Sequence, residues 1–176
     1  MNVFLIGYRG TGKTTVARLV AQQMKNDWID ADVEIERRAG KTIAGIFAES
    51  GESGFRELEA ELVRELAREL AGTEGTIVAL GGGAVLRADN RQALRECGQV
   101  IWLLASPETI ARRIQADPGS PEQRPNLTTA GGIDEIRNLL DKRAPIYRNI
   151  ADHTIDTEGN TAEQVAAQVV AILEEG

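Results

Sequence analysis

The sequence predicts an α/β domain built on a parallel sheet. Two observations carry that expectation. Short apolar runs alternate with helical patterns along the whole of the 176 residues, and strands separated by helices pair in parallel through right-handed crossovers. The first apolar run, Val3 to Ile6, leads straight into Gly7-Tyr-Arg-Gly-Thr-Gly-Lys13-Thr14, and a helical pattern follows from Thr15. Strand, glycine-rich loop and helix in that order form the context in which successive backbone N–H groups curl around one phosphate.

Taken in order, the strand candidates are Val3 to Ile6, Trp28 to Asp30, Thr76 to Leu80, Val100 to Leu104 and Thr154 to Asp156. From Glu52 to Leu70 the chain sets Phe55, Leu58, Leu62, Leu66 and Leu70 at helical spacing. Thr161 followed three residues later by Gln164 reads as a capping box for the last helix. Between Asp117 and Gly132 the rhythm breaks, with Pro118, Gly119, Pro121, Pro125 and Gly131 in a stretch of little periodicity. Too few residues follow for a second domain, so the expectation is one domain over residues 1–176 with a mobile lid at about 114–131. There is no internal repeat.

Composition narrows the function classes. A net charge of −7 argues against non-specific nucleic-acid binding. No apolar stretch approaches the roughly 18 residues of a membrane span. Met1 leads directly into the first strand, so a cytoplasmic location without a targeting segment is expected. Cys97 is the only cysteine, which leaves no internal disulfide, and it reads as a buried small apolar residue. No conspicuous apolar stripe is left over, and the expected state is a monomer.

The glycine-rich loop points to a nucleoside triphosphate. Gly10, Thr11, Gly12, Lys13, Thr14 and Thr15 form the binding set, with Lys13 reaching the β- and γ-phosphates and the Thr14 hydroxyl ligating Mg²⁺. Asp30 and Asp32 flank Ala31 at the end of the second strand, and residues two apart in extended chain face the same way. One carboxylate would help hold Mg²⁺ and the other would take a hydrogen bond from a substrate hydroxyl. The plainer alternative is a helix N-cap, a role that suits Asp32. Gly81-Gly82-Gly83 directly after a buried strand suggest a ligand close enough to exclude any Cβ.

Arg56 has an acid partner at Glu59, one turn on, and Arg143 precedes Pro145, which should disturb its helix. Each alone is an ordinary surface arginine. Together they suggest a planar, bidentate clamp for a carboxylate. Arg113 and Arg124 flank the lid, placed to stack on a base and to neutralise phosphate charge. His153, the only histidine, precedes the last strand at the end away from the ligand edge, so a carboxylate or water must accept any proton.

In this order the motifs resemble the shikimate kinase family, small P-loop kinases of the nucleoside monophosphate kinase structural group. The resemblance runs through the phosphate loop, Asp30-Ala-Asp32, Gly40-Lys-Thr-Ile43, Phe55-Arg56, Glu59, Leu80-Gly-Gly-Gly-Ala-Val85, Arg124-Pro125 and Arg143-Ala-Pro-Ile-Tyr147. The phosphate loop is common to many families; the combination of Asp-x-Asp, Phe-Arg, triple glycine and Arg-x-Pro-x-Tyr is much more specific. The resemblance implies a three-layer fold with a five-stranded parallel sheet, order 2-3-1-4-5, the phosphate loop on its central strand. It implies transfer of the ATP γ-phosphate to the 3-hydroxyl of shikimate, a step toward the aromatic amino acids. In the family the positions matching Asp32, Arg56, Gly82 and Arg143 hold shikimate, and the shikimate-binding region is expected at about 32–60. Thr14 and Asp30 match the magnesium positions, Arg113 the adenine-stacking arginine and Arg124 the lid arginine over the phosphates. Lys13, Asp32 and Arg124 are the expected catalytic set. The chain departs from relatives in a longer lid and in Asn126-Leu127, where two leucines are common. Rival readings are a gluconate or nucleotide kinase, and a nucleotide-controlled switch, although the Asn-Lys-x-Asp of guanine-specific switches is absent.

Overall fold

The computed structural model describes residues 1–117 and 132–175. Strands β1 (Asn2–Ile6), β2 (Trp28–Asp30), β3 (Ile77–Ala79), β4 (Gly98–Leu104) and β5 (His153–Asp156) alternate with helices. These are α1 (Lys13–Met24), α2 (Ala31–Ala39), α3 (Ile43–Glu69), α4 (Ala88–Cys97), α5 (Pro107–Ala116), α6 (Gly132–Ile150) and α7 (Ala162–Glu175). The strands form one parallel sheet in the order β2-β3-β1-β4-β5, as the resemblance implies, so β1 is central. Phe4 sits opposite Val78 on one side and Val100 on the other.

Both faces of the sheet are covered, which is why the central strands read as unbroken apolar runs. Phe4, Ile6, Val78, Val100 and Trp102 pack beneath α3, α4 and α6. Val3, Leu5, Ile77, Ala79, Ile101 and Leu103 pack on α1 and α7. A smaller cluster around Tyr8, Ile110 and Ile136 joins the phosphate loop to α5 and α6.

Helix ends follow the local chemistry. Thr42 accepts from Gly45 N at 3.1 Å and Ser106 from Thr109 N at 3.2 Å, each satisfying a donor at a helix start. The capping box at α7 is present in both directions: Gln164 N donates to Thr161 Oγ1 at 3.3 Å, and Thr161 N to Gln164 Oε1 at 2.9 Å.

The structure corrects several expectations. The long helix starts at Ile43 and bends at Gly51, whose φ of 66° and ψ of −171° lie in a region essentially reserved for glycine. The bend brings the Phe47 and Phe55 rings to 5.1 Å across it, so the apolar stripe continues through the kink. Pro145 does not end its helix. It lies inside the continuous α6, where it leaves one helical hydrogen bond unmade. Cys97 is half-buried, its thiol donating to Ala67 O at 3.1 Å. Ile114 to Ala116, placed in the lid, belong to α5. Residues 118–131 of the expected lid, with Arg124, Asn126 and Leu127, lie outside the described residues.

Candidate active site

The loops after β1, β2 and β3 meet at the carboxyl edge of the sheet around a cleft of about 460 Å³. Open α/β sheets place ligands at this edge. The phosphate loop forms one wall. Gly7 has φ of +139°, and a Cβ there would collide with the Leu103 carbonyl of β4. Thr11 Oγ1 donates to Tyr8 O at 2.8 Å and closes the loop on itself. Lys13 is buried, its Nζ donating to the carbonyls of Gly7 and Tyr8, each at 2.8 Å. The first turn of α1 contains no acidic residue, and its positive end favours an anion.

Asp30 divides its two carboxylate oxygens. Oδ1 accepts from Asp32 N at 2.9 Å and Val33 N at 3.2 Å, which caps α2. Oδ2 accepts from Thr14 Oγ1 at 2.5 Å. The N-cap role expected as the alternative for Asp32 therefore falls to Asp30. Asp32 lies in the first turn of α2 rather than on an extended strand, and both carboxylates still line the cleft. The strand ends one residue earlier than the same-face argument needs, because the cap turns the chain into helix. Among the described residues no group of three or more His, Cys, Asp or Glu is gathered to hold a metal. A Thr hydroxyl beside one carboxylate is nevertheless a donor set that fits Mg²⁺, which habitually takes one or two protein oxygens together with phosphate oxygens and water.

Beside the phosphate loop, α2, α3 and α6 contribute further charged side chains. Glu36 of α2 lines the cleft and accepts from Ile43 N at 2.8 Å, tying the start of α3 to α2. Arg56 of α3 donates through Nη1 to Glu59 Oε2 at 2.7 Å and approaches Glu52 at 3.3 Å. Burial works against the Arg56 charge, but Glu59 and then Glu52 more than offset it and raise its pKa. Its guanidinium lies against Gly83, where a Cβ would collide with it. Arg143 of α6 is 6% exposed, with Nη1 3.5 Å from Gly82 O.

For one of the three glycines the structure supplies a reason other than the expected ligand, while Gly81 and Gly82 line the cleft. At Gly83 the space a Cβ would take is filled by the protein's own Arg56. At Gly82 the neighbours are the phosphate loop, with Gly7 O 3.2 Å and Arg9 N 3.6 Å from the Cβ position, and Arg143 Nη1 at 3.6 Å. Neither Arg56 nor Arg143 lines the cleft itself. Both are packed on glycines beside it, Gly82 being part of its wall, and neither points into bulk solvent. Arg113 is held by Thr157, donating to its Oγ1 and its carbonyl at 2.9 Å each, and it too lies outside the cleft lining. Half-buried His153 begins β5 at the amino end, away from the site.

Several residues at the site carry no signal a sequence reader could use. Arg9 and Asp117 line the cleft from positions without a pattern. Tyr147, four residues after Arg143, donates its hydroxyl to Gly82 O at 2.5 Å. Its place in Arg143-Ala-Pro-Ile-Tyr147 was the available hint.

The phosphate loop and the carboxylates of Asp30, Asp32 and Glu36 line one and the same cleft. Phosphoryl transfer gains most of its rate from holding donor and acceptor in one charged, water-poor space, so the fold and site define a P-loop phosphotransferase for a small acceptor. Comparison with known proteins narrows the class. A family model for shikimate kinase matches residues 9–174. A shikimate kinase of Symbiobacterium thermophilum is 42% identical over 175 residues, covering 99% of this chain and 97% of that protein. The solved shikimate kinase of Acinetobacter baumannii in complex with shikimate superposes with a TM-score of 0.89 at 35% identity, covering 99% and 93%. That of Bacteroides thetaiotaomicron gives 0.81 at 32%, covering 100% and 99%. The chain belongs to the shikimate kinase family, and it is a kinase that phosphorylates shikimate at the expense of ATP in aromatic biosynthesis.

Proposed function

We propose that the ATP phosphates lie on the N-terminus of α1 with Lys13 at the β- and γ-positions, and that the shikimate carboxylate is gripped by Arg56 and Arg143 against Gly82. Asp32 orients the 3-hydroxyl. The hydroxyl oxygen attacks the γ-phosphorus, the bond to the β–γ bridging oxygen breaks, and ADP leaves with that electron pair. The hydroxyl proton passes to Asp32 late in the step, since a loose transition state needs little help from a base. Thr14 and Asp30 hold Mg²⁺, which when bound neutralises charge on the phosphates. Arg113 stacks on adenine, and Arg124 of the lid covers the phosphates. The enzyme works as a monomer in the cytoplasm. Among the described residues no helix is long and apolar enough to cross a membrane, and the acidic chain is read as having no nucleic-acid partner.

The observation that carries this reading is the meeting at Gly82. Its Cβ position touches both the phosphate loop and Arg143, so the carboxylate grip and the phosphate cradle share a backbone contact. A coupled ADP-release assay with shikimate, gluconate and AMP tests it: turnover with shikimate alone is the expected result, and comparable turnover with gluconate or AMP contradicts the acceptor assignment.

One substitution probes the new account of the triple glycine. Gly83→Ala places a methyl group where the Arg56 guanidinium lies, so the arginine must move off its Glu59 partner. The KM for shikimate should rise about tenfold, the cost of weakening one charge-assisted contact, while that for ATP stays within about twofold. Steady-state kinetics with each substrate varied in turn read both values.

A further inference from the structure

Arg143 does not hold its position unaided. Tyr147 follows it by one helical turn, on the same face of α6. The Tyr147 side chain is fully buried, its ring 5.6 Å from that of Trp102, and its hydroxyl donates to Gly82 O at 2.5 Å. The same carbonyl is the one Arg143 Nη1 approaches at 3.5 Å. A peptide group is planar, so a pinned carbonyl oxygen fixes the whole Gly82–Gly83 plane. On its other side the Arg143 guanidinium lies 5.7 Å from the centre of the Tyr8 ring, within cation–π range. Tyr8 is 2% exposed, and its carbonyl also receives Lys13 Nζ.

We propose that Tyr147 and Tyr8 form a buried clamp that sets the Arg143 guanidinium and the Gly82 peptide in register for the acceptor carboxylate. Both are positioning residues for shikimate, one of them carried on the nucleotide-binding loop. The inference rests on the assignment of Arg143 to that carboxylate. Two physical points support it. A fully buried phenol needs a partner for its hydroxyl, and here the partner is a functional backbone carbonyl rather than a structural one. Burial pushes the Tyr147 phenol up to about 12, against the opposing pull of Arg143, so it remains a donor at every pH where the enzyme would work. Burial likewise raises the Tyr8 phenol, with Arg9 and Arg143 pulling the other way.

Steady-state kinetics on Tyr147→Phe, Tyr8→Leu, Tyr8→Phe and Arg143→Ala, with melting temperatures, test the clamp. Tyr147→Phe and Tyr8→Leu should each raise the KM for shikimate about tenfold and leave that for ATP within about twofold. Tyr8→Phe keeps the ring and should stay within about twofold of the parent for both substrates. Added to Arg143→Ala, Tyr147→Phe should cost less than about twofold more, because it acts through that arginine. A lowered melting temperature with an unchanged shikimate KM would make the tyrosines merely structural and overturn the inference. Equal losses for both substrates, or a further tenfold loss on top of Arg143→Ala, would overturn it as well. If Tyr147→Phe fails to fold, the Tyr8 pair decides by the same criteria. An Arg143→Ala enzyme with a parental shikimate KM is a different failure, since it removes the carboxylate assignment itself.

Discussion

Lys13→Ala is expected to lower kcat by about a hundred- to a thousandfold, the usual loss when one preorganised charge is removed from a transition state. The fold should survive it. The loop keeps the Thr11 bond to Tyr8 O, the left-handed backbone at Gly12 and the buried Val16 and Ala17 of α1, none of which needs the ammonium group. What disappears is a cation already poised at the loop by two backbone carbonyls. Those two bonds contribute about 1.5–3 kcal/mol each at most to stability, so a moderate drop in melting temperature is expected alongside the kinetic loss. Circular dichroism separates the two effects. A folded Lys13→Ala enzyme with kcat within about tenfold of the parent would remove this residue from the mechanism.

Arg143→Ala should act on the other substrate. A charge-assisted hydrogen bond to a carboxylate contributes about 1.5–3 kcal/mol, which corresponds to a rise of roughly ten- to a hundredfold or more in the shikimate KM. The KM for ATP should barely change, because the contact Arg143 makes with the nucleotide loop is to the Tyr8 ring and not to the phosphate-binding groups. Arg143→Lys should restore little, since a point charge cannot reproduce a planar fork. Measuring each KM with the other substrate saturating checks the split. Parallel losses for ATP and shikimate would mean that Arg143 supports the site as a whole rather than the acceptor.

Much of this protein was legible before any coordinates. The phosphate loop is a contiguous pattern whose conformation follows from its own glycines and from the helix after it. The capping box and the α3 stripe are likewise local, depending on neighbours three or four residues away. Even the Gly51 bend falls at the residue before the predicted start of the long helix. The strand ends were less clear: β4 begins at Gly98, two residues before its apolar run, because pairing with Asn2 extends it.

The reasons behind the site residues were harder to read. That Asp30 rather than Asp32 caps α2 turned on where β2 gives way to α2. Of the three glycines after β3, Gly83 yields its space not to a ligand but to Arg56, 27 positions earlier in the chain. Tyr147 meets Gly82 across 65 positions. Sequence by itself determined the chemistry available, the alternation of strand and helix and the phosphate cradle, because backbone preference and side-chain period are local properties. Only the tertiary structure decided which guanidinium rests on which glycine and which phenol holds which carbonyl. Such contacts arise when α3 and α6 pack over one face of the sheet, and no short-range pattern encodes that distance.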